Sequence, residues 1–196
     1  METVLMTAPA VEPVLLAAAK IHLRIPAAIT DSDANITPLL SVAREYVEDA
    51  TNRKLITQTW DIYLDDWPGG DAIELPFGSL QSITHIKYTD SDGDETTFSS
   101  GDYSADTASA LGRVVLDFDA SWPSATLANK TPIVIRIICG YGLTGATVPG
   151  PVIQAINFVI ADLFENRETV VVGVTVTNLD IVERLLAPYR LYGYHL

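Results

Sequence analysis

Apolar positions recur at helical spacing at both ends of the chain and alternate through its middle. From Val14, VLLAAAKIHLRI brings Leu16, Ala19 and Leu23 onto one face of a predicted helix that Pro26 ends. A second helix is predicted from an N-cap at Asp31 or Asp33, with Pro38 tolerated in its first turn. Ile36, Leu39, Leu40, Ala43, Val47 and Ala50 follow at three-and-four spacing, with Arg44, Glu45, Glu48 and Asp49 mostly on the opposite side. From Leu55 the period falls to two, so that ITQTWDIYLD places Ile56, Gln58, Trp60, Ile62 and Leu64 on one strand face. Further strand-like runs are IELP, SITHIKYT, ETTFS, RVVLDF and IVIRIIC, parted by SDGDE, SSGD and SWPSATLANK, which are rich in turn formers. Helical spacing returns in PVIQAINFVIADLFENRE, where Pro151 suits the first helical position and apolar residues nearly encircle the axis. A last helix is predicted in TNLDIVERLLAPYR, capped by Thr177 or Asn178, with Val182, Leu185 and Leu186 inward and Pro188 as its stop.

Helices therefore flank a contiguous run of strands, the order of an α+β fold. The expected division is a helical frame from residues 14–54 and 149–196, with an antiparallel β module inserted at 55–148. With 196 residues, 48% of them hydrophobic, the chain is long enough to bury a sizeable core.

A formal charge of −13 argues against a surface that grips nucleic-acid phosphates. Cys139 is the only cysteine, which excludes an intramolecular disulfide and a four-cysteine zinc site; closing the run IVIRIIC, it reads as a small buried apolar residue. METVLMTAPAVEP has no basic start and its apolar run is broken by Pro9 and Pro13, so it does not read as a secretory signal. The most apolar predicted helix is too short to span a bilayer and carries Gln154, Asn157 and Asp162. These features predict a cytoplasmic protein with no membrane partner.

Three motifs call for a chemical reading. GYGLTG, from Gly140 to Gly145, matches the glycine pattern of dinucleotide-binding loops and follows a strand, but Pro149, Gly150 and Pro151 postpone the helix whose N-terminus would meet the pyrophosphate. It reads instead as a turn out of the β module. TDSDGDE has its glycine between the second and third aspartates and lacks a closing Glu, so it reads as a hairpin turn with solvated carboxylates rather than a calcium loop. His22, His85 and His195 show no ligand-type spacing. No catalytic residue, cofactor-binding residue or metal ligand is predicted.

The segment TVVVGVTVT holds five valines in nine residues and no charge. Such β-branched alternation forms a strand that seeks a partner. It can be an edge strand packed on the chain's own helices, or a contact between molecules by strand addition or insertion between subunits. Glu165, Arg167 and Glu168 before it mark a surface exit. The tail PYRLYGYHL, with Tyr189, Tyr192 and Tyr194, has the composition of an interface or, alternatively, of a loose end.

The succession AKIHLRI, LLSVAREYVEDATNRKLITQTWDIYLDDWPGG, IELPFGSLQSITHIKY, ICGYG, VPGPVIQAINFVIADLFENRE and LLAPYR resembles the head-tail connector, or adaptor, proteins of long-tailed bacteriophages and prophages. It runs in order from about Val14 to Tyr192. The resemblance implies a structural virion protein without enzymatic activity or cofactor, assembled as a ring below the portal and joined to the next tail-proximal component. It implies host cytoplasm during assembly and the virion neck afterwards, with no tight DNA binding. The expected subunit or partner interface comprises Arg167, Glu168, Val170, Val171, Val172, Val174, Val176, Arg184, Tyr189, Arg190 and Tyr192. The alternatives are a ligand-binding or enzymatic α+β protein with a pocket in the β module, and a monomeric tail-completion module.

Overall fold

A computed structural model describes residues 1–166 and 179–192, with Leu179 and Asp180 described by backbone alone. The fold is α+β: four α-helices and two antiparallel sheets of eight strands among the described residues. The chain divides into two compact units, one holding Met1–Pro9, Thr57–Gly140 and the C-terminal residues from Leu191, the other Ala10–Ile56 and Tyr141–Arg190.

The helical unit contains α1 (Leu16–His22), α2 (Asp33–Thr51), α3 (Gly150–Glu165) and α4 (Leu179–Leu186), followed by a 3-10 turn at Ala187–Tyr189. Ile36, Leu40, Ala43 and Val47 form the buried stripe of α2, and Val152, Ala155, Ile156 and Ile160 that of α3. Both repeat every three or four residues and meet in one core with Val14, Ala19, Val182 and Leu186.

Helix α1 ends earlier than its periodicity predicts. Arg24 turns left-handed at φ 57°. The Arg24 N–H then bonds the Ile21 carbonyl and the Ile25 N–H the Lys20 carbonyl, a Schellman closure that satisfies the last carbonyls before Pro26 is reached. Helix α2 begins at Asp33, so Pro38 falls in the second turn, beyond the first turn predicted for it, and cannot donate to Ala34. Neither Asp31 nor Asp33 is the N-cap: that position is Ser32, and the Asp33 carboxylate instead pairs with the buried Lys20 at 2.7 Å. The same ammonium donates to the Ile29 carbonyl at 2.6 Å, fixing the α1–α2 connection.

The β unit contains β1 (Glu2–Thr7), β2 (Gln58–Leu64), β3 (Ala72–Gly78), β4 (Leu80–Thr89), β5 (Glu95–Phe98), β6 (Tyr103–Asp106), β7 (Leu111–Leu116) and β8 (Ile133–Cys139). One sheet runs β1-β2-β8-β4-β5 and the other β3-β7-β6. Strand β8 is central: Ile133, Ile135, Ile137 and Cys139 are fully buried, while Val134, Arg136 and Ile138 on the alternate face are half-buried. The buried face joins Ile62, Ile86, Leu75 and Val114 in a core shared by both sheets. On the other face of the large sheet Asp61 of β2 lies opposite Arg136, with both carboxylate oxygens 2.7 Å from the guanidinium. Strands β1 and β6 are absent from the elements predicted by pattern. Neither places an apolar stripe on one face: β1 is exposed along nearly its whole length, and β6 buries only Tyr103.

Candidate functional site

An apolar groove lies in the helical unit between α2, the end of α3 and α4. Tyr46 of α2, Phe158, Val159 and Leu163 of α3, and Ile181 and Val182 of α4 line a groove of 420 Å³, with Asp162, Glu165 and Asn166 also on its wall. Tyr46 and Ile181 are exposed, as is Val42 one turn before Tyr46. A helix apolar around most of its circumference calls for cover on both sides. Helix α3 buries one stripe in the core and leaves Phe158, Val159 and Leu163 half-exposed.

Of the expected interface residues, Arg167, Glu168, Val170, Val171, Val172, Val174 and Val176 lie outside the described residues. Arg184 and Tyr192 are exposed, and Tyr192 is 80% accessible. Tyr189 packs half-buried against the helical core, and its carbonyl accepts from Arg53 Nε at 2.7 Å. Arg190 folds back onto Glu183 as an ion pair. These two residues thus hold the end of the helical unit in place, while Arg184 and Tyr192 face solvent.

The helical unit also holds a buried ionic cluster, which sequence pattern alone misplaced. Arg44 and Glu48, expected on the polar side of α2, are 7% and 2% exposed. Glu48 accepts from the Leu55 N–H at 2.9 Å and from Arg44 Nη1 at 3.3 Å, with Lys54 Nζ at 3.8 Å. Arg44 also donates to Glu12 at 2.9 Å and to Glu45 at 3.1 Å. Burial by itself would lower the Arg44 pKa; the charges of Glu48 and Glu12, the hydrogen bond to Glu12 and the charge of Glu45 outweigh it and hold the guanidinium above its ordinary value. The cluster ties the N-terminal approach, α2 and the chain entering β2 together. The sequence signal for it is the Arg44–Glu48 pair at i,i+4, followed by Lys54.

The glycine motif has a packing role. Gly140 has φ 134°, and its carbonyl accepts from Gln81 Nε2 at 2.8 Å. Tyr141 N–H bonds the Leu55 carbonyl and Gly142 bridges Ile56, so these two stretches of the helical unit run side by side. A Cβ on Gly145 would stand 2.0 Å from the Pro13 carbonyl oxygen. The glycines are therefore spent on backbone approach within this chain.

The acidic loop after β4 is a capped hairpin turn. Asp90 Oδ1 accepts from the N–H groups of Asp92 and Asp94, both at 3.0 Å, and Gly93 takes φ 91°. His22 packs edge-on to Phe158, and His195 lies outside the described residues. Burial, then the charges of Arg136 and Lys87, lower the His85 pKa. Among the described residues no group of three or more His, Cys, Asp or Glu is placed to hold a metal, and no helix is long and apolar enough to cross a membrane.

Residues 14–110 match the family model of the phage gp6-like head-tail connector protein. The chain is a structural virion protein of the head-tail connector class. Its fold is similar to that of a chain in the neck of an empty gene transfer agent particle, with TM-score 0.81 and 22% identity over 100% of this chain and 98% of that one. A chain in the virion of the native gene transfer agent particle gives TM-score 0.78 at 22% identity, and one in the native neck computed with C12 symmetry gives 0.78 at 21%; both matches cover 100% of this chain and 98% of the other. No curated protein matches.

Proposed function

We propose that copies of this chain associate head to tail around a rotation axis into a closed ring at the virion neck, joining the portal to the next tail-proximal component without catalysis. A heterologous contact needs two different surfaces on each copy, and it closes when the rotation between neighbours divides a full turn. The observation that carries this reading is the groove between α2, α3 and α4, whose apolar wall reaches Asn166, directly before the segment that carries the valines. The Arg167–Thr177 segment, with Arg184, Tyr189, Arg190 and Tyr192, forms much of the contact in this reading. The C12 symmetry of a neck containing a chain of the same fold is consistent with a cyclic arrangement. Assembly would take place in the host cytoplasm.

The test is deletion of Val170–Val176 from the full chain. Negative-stain images of concentrated protein should lose their rings while the far-ultraviolet circular dichroism keeps its helical signal; rings that persist would remove the segment from the interface.

A further inference from the structure

Among the described residues the two sheets have four edges, and three of them are protected. Strand β5 is four residues long, exposes Glu95, Thr96 and Thr97, and carries the Lys87–Glu95 ion pair at 2.6 Å. Strand β6 is also four residues and ends on Asp106, paired with Arg113 at 2.6 Å. Strand β3 contains Pro76, and its ladder to β7 is irregular between Glu74 and Gly78. Shortness, charge, proline and irregular pairing are the devices by which sheets discourage added strands.

Strand β1 has almost none of them. It is six residues long, contains no Lys, Arg or Pro, and pairs regularly with β2 from Glu2 to Leu5, its single irregularity falling between Leu5 and Thr7. Val4 and Leu5, which point to opposite faces, are 41% and 43% exposed, and Met6 is 47% exposed. Among the described residues, both faces and the outer backbone edge of β1 are thus without cover. An apolar segment laid on a helical groove alone would leave its backbone groups unpaired, whereas a strand edge offers hydrogen bonds and apolar contact at once.

We propose that the open edge of β1 accepts, as an added strand, the Val170–Val176 segment of a second copy of this chain. The match is chemical: an uncharged, valine-rich run of seven residues against a six-residue edge whose only charge is Glu2. The run is carried between polar arms, Arg167–Thr169 and Thr177–Asn178, within a twelve-residue stretch from 167 to 178. Fully extended, the seven residues of the run span at most ~25 Å, enough to cover a six-residue edge. This inference rests on the ring reading and assigns a receptor to its valine segment.

The experiment uses the full chain with Cys139, fully buried, left in place. Val4→Cys and Val172→Cys proteins are mixed at a concentration where the wild type sediments as a ring, then treated with a bismaleimide. A mixed covalent dimer several-fold more abundant than in either protein alone is expected. Rings in the wild type with no mixed dimer overturn the inference and leave the ring reading standing. A Val4→Cys/Val172→Cys protein that closes only within single chains also overturns it. Independently, Val4→Lys/Leu5→Lys should abolish the ring without moving the melting temperature of the monomer, and a ring surviving those lysines refutes strand addition at β1. A wild type that stays monomeric at every concentration overturns the ring reading, and this inference with it.

Discussion

At the scale of single residues, the buried charges are where sequence and environment pull apart. Glu48 is almost fully enclosed and faces two cations, Arg44 and Lys54. Removing one partner of a buried ionic group leaves the others uncompensated, at a cost of about 3–5 kcal/mol. Glu48→Gln keeps an acceptor for the Leu55 N–H but loses the charge, so its denaturant midpoint should fall well below that of the wild type. Asp106 shows the opposite setting, at a more accessible turn. Hydrogen bonds from the Ser109 hydroxyl and from Arg113, then from the Ser109 N–H, hold its carboxyl well below the ordinary range. A carboxyl depressed on folding adds stability above its unfolded pKa of about 3.9, lost as pH falls through the folded value. The melting temperature of Asp106→Asn should therefore lie below the wild type near neutrality. The gap should narrow progressively below about pH 4; a gap unchanged by acid would contradict the assignment.

At the scale of elements, termination is governed by local backbone geometry more than by hydrophobic period. The stripes of α2 and α3 are legible as patterns, since Ile36, Leu40, Ala43 and Val47 must share a face wherever that segment is helical. The end of α1 was not, because Arg24 adopts a left-handed conformation that sequence assigns more readily to glycine. Strands β1 and β6 escaped for a related reason. A strand held by its ladder with little side-chain burial leaves no alternation to read. The connection into α3 depends on contact between distant segments, as Gly145 lies against the backbone of Pro13. Gly145→Ala should cost about 1–3 kcal/mol through overpacking, read as an earlier unfolding midpoint. A neutral substitution would show that the approach of these two segments can relax.

At the scale of the whole molecule, net charge and surface decide what the protein meets. A formal charge of −13 repels duplex DNA, and DNA affinity depends on phosphate neutralisation by cations. Electrophoretic mobility of duplex DNA should be unaffected by the purified protein at physiological salt; tight binding that weakens steeply with added salt would contradict the charge argument.

The sequence by itself determined the α+β class, the apolar faces of the long helices and the alternation of β8, because periodicity is a property of neighbouring residues and survives without knowledge of the fold. It also carried the connector resemblance, through segments whose order matters more than any one of them. Only the tertiary structure decided that Arg44 and Glu48 are buried, that GYGLTG serves backbone packing, and that β1 is an edge strand among the described residues. Each of those depends on which distant segment arrives alongside: Glu12 and Lys54 for the ion cluster, Pro13 for Gly145, and β2 for β1. Burial and pairing are relations between parts of the chain far apart in sequence, and pattern along the chain does not encode them one residue at a time.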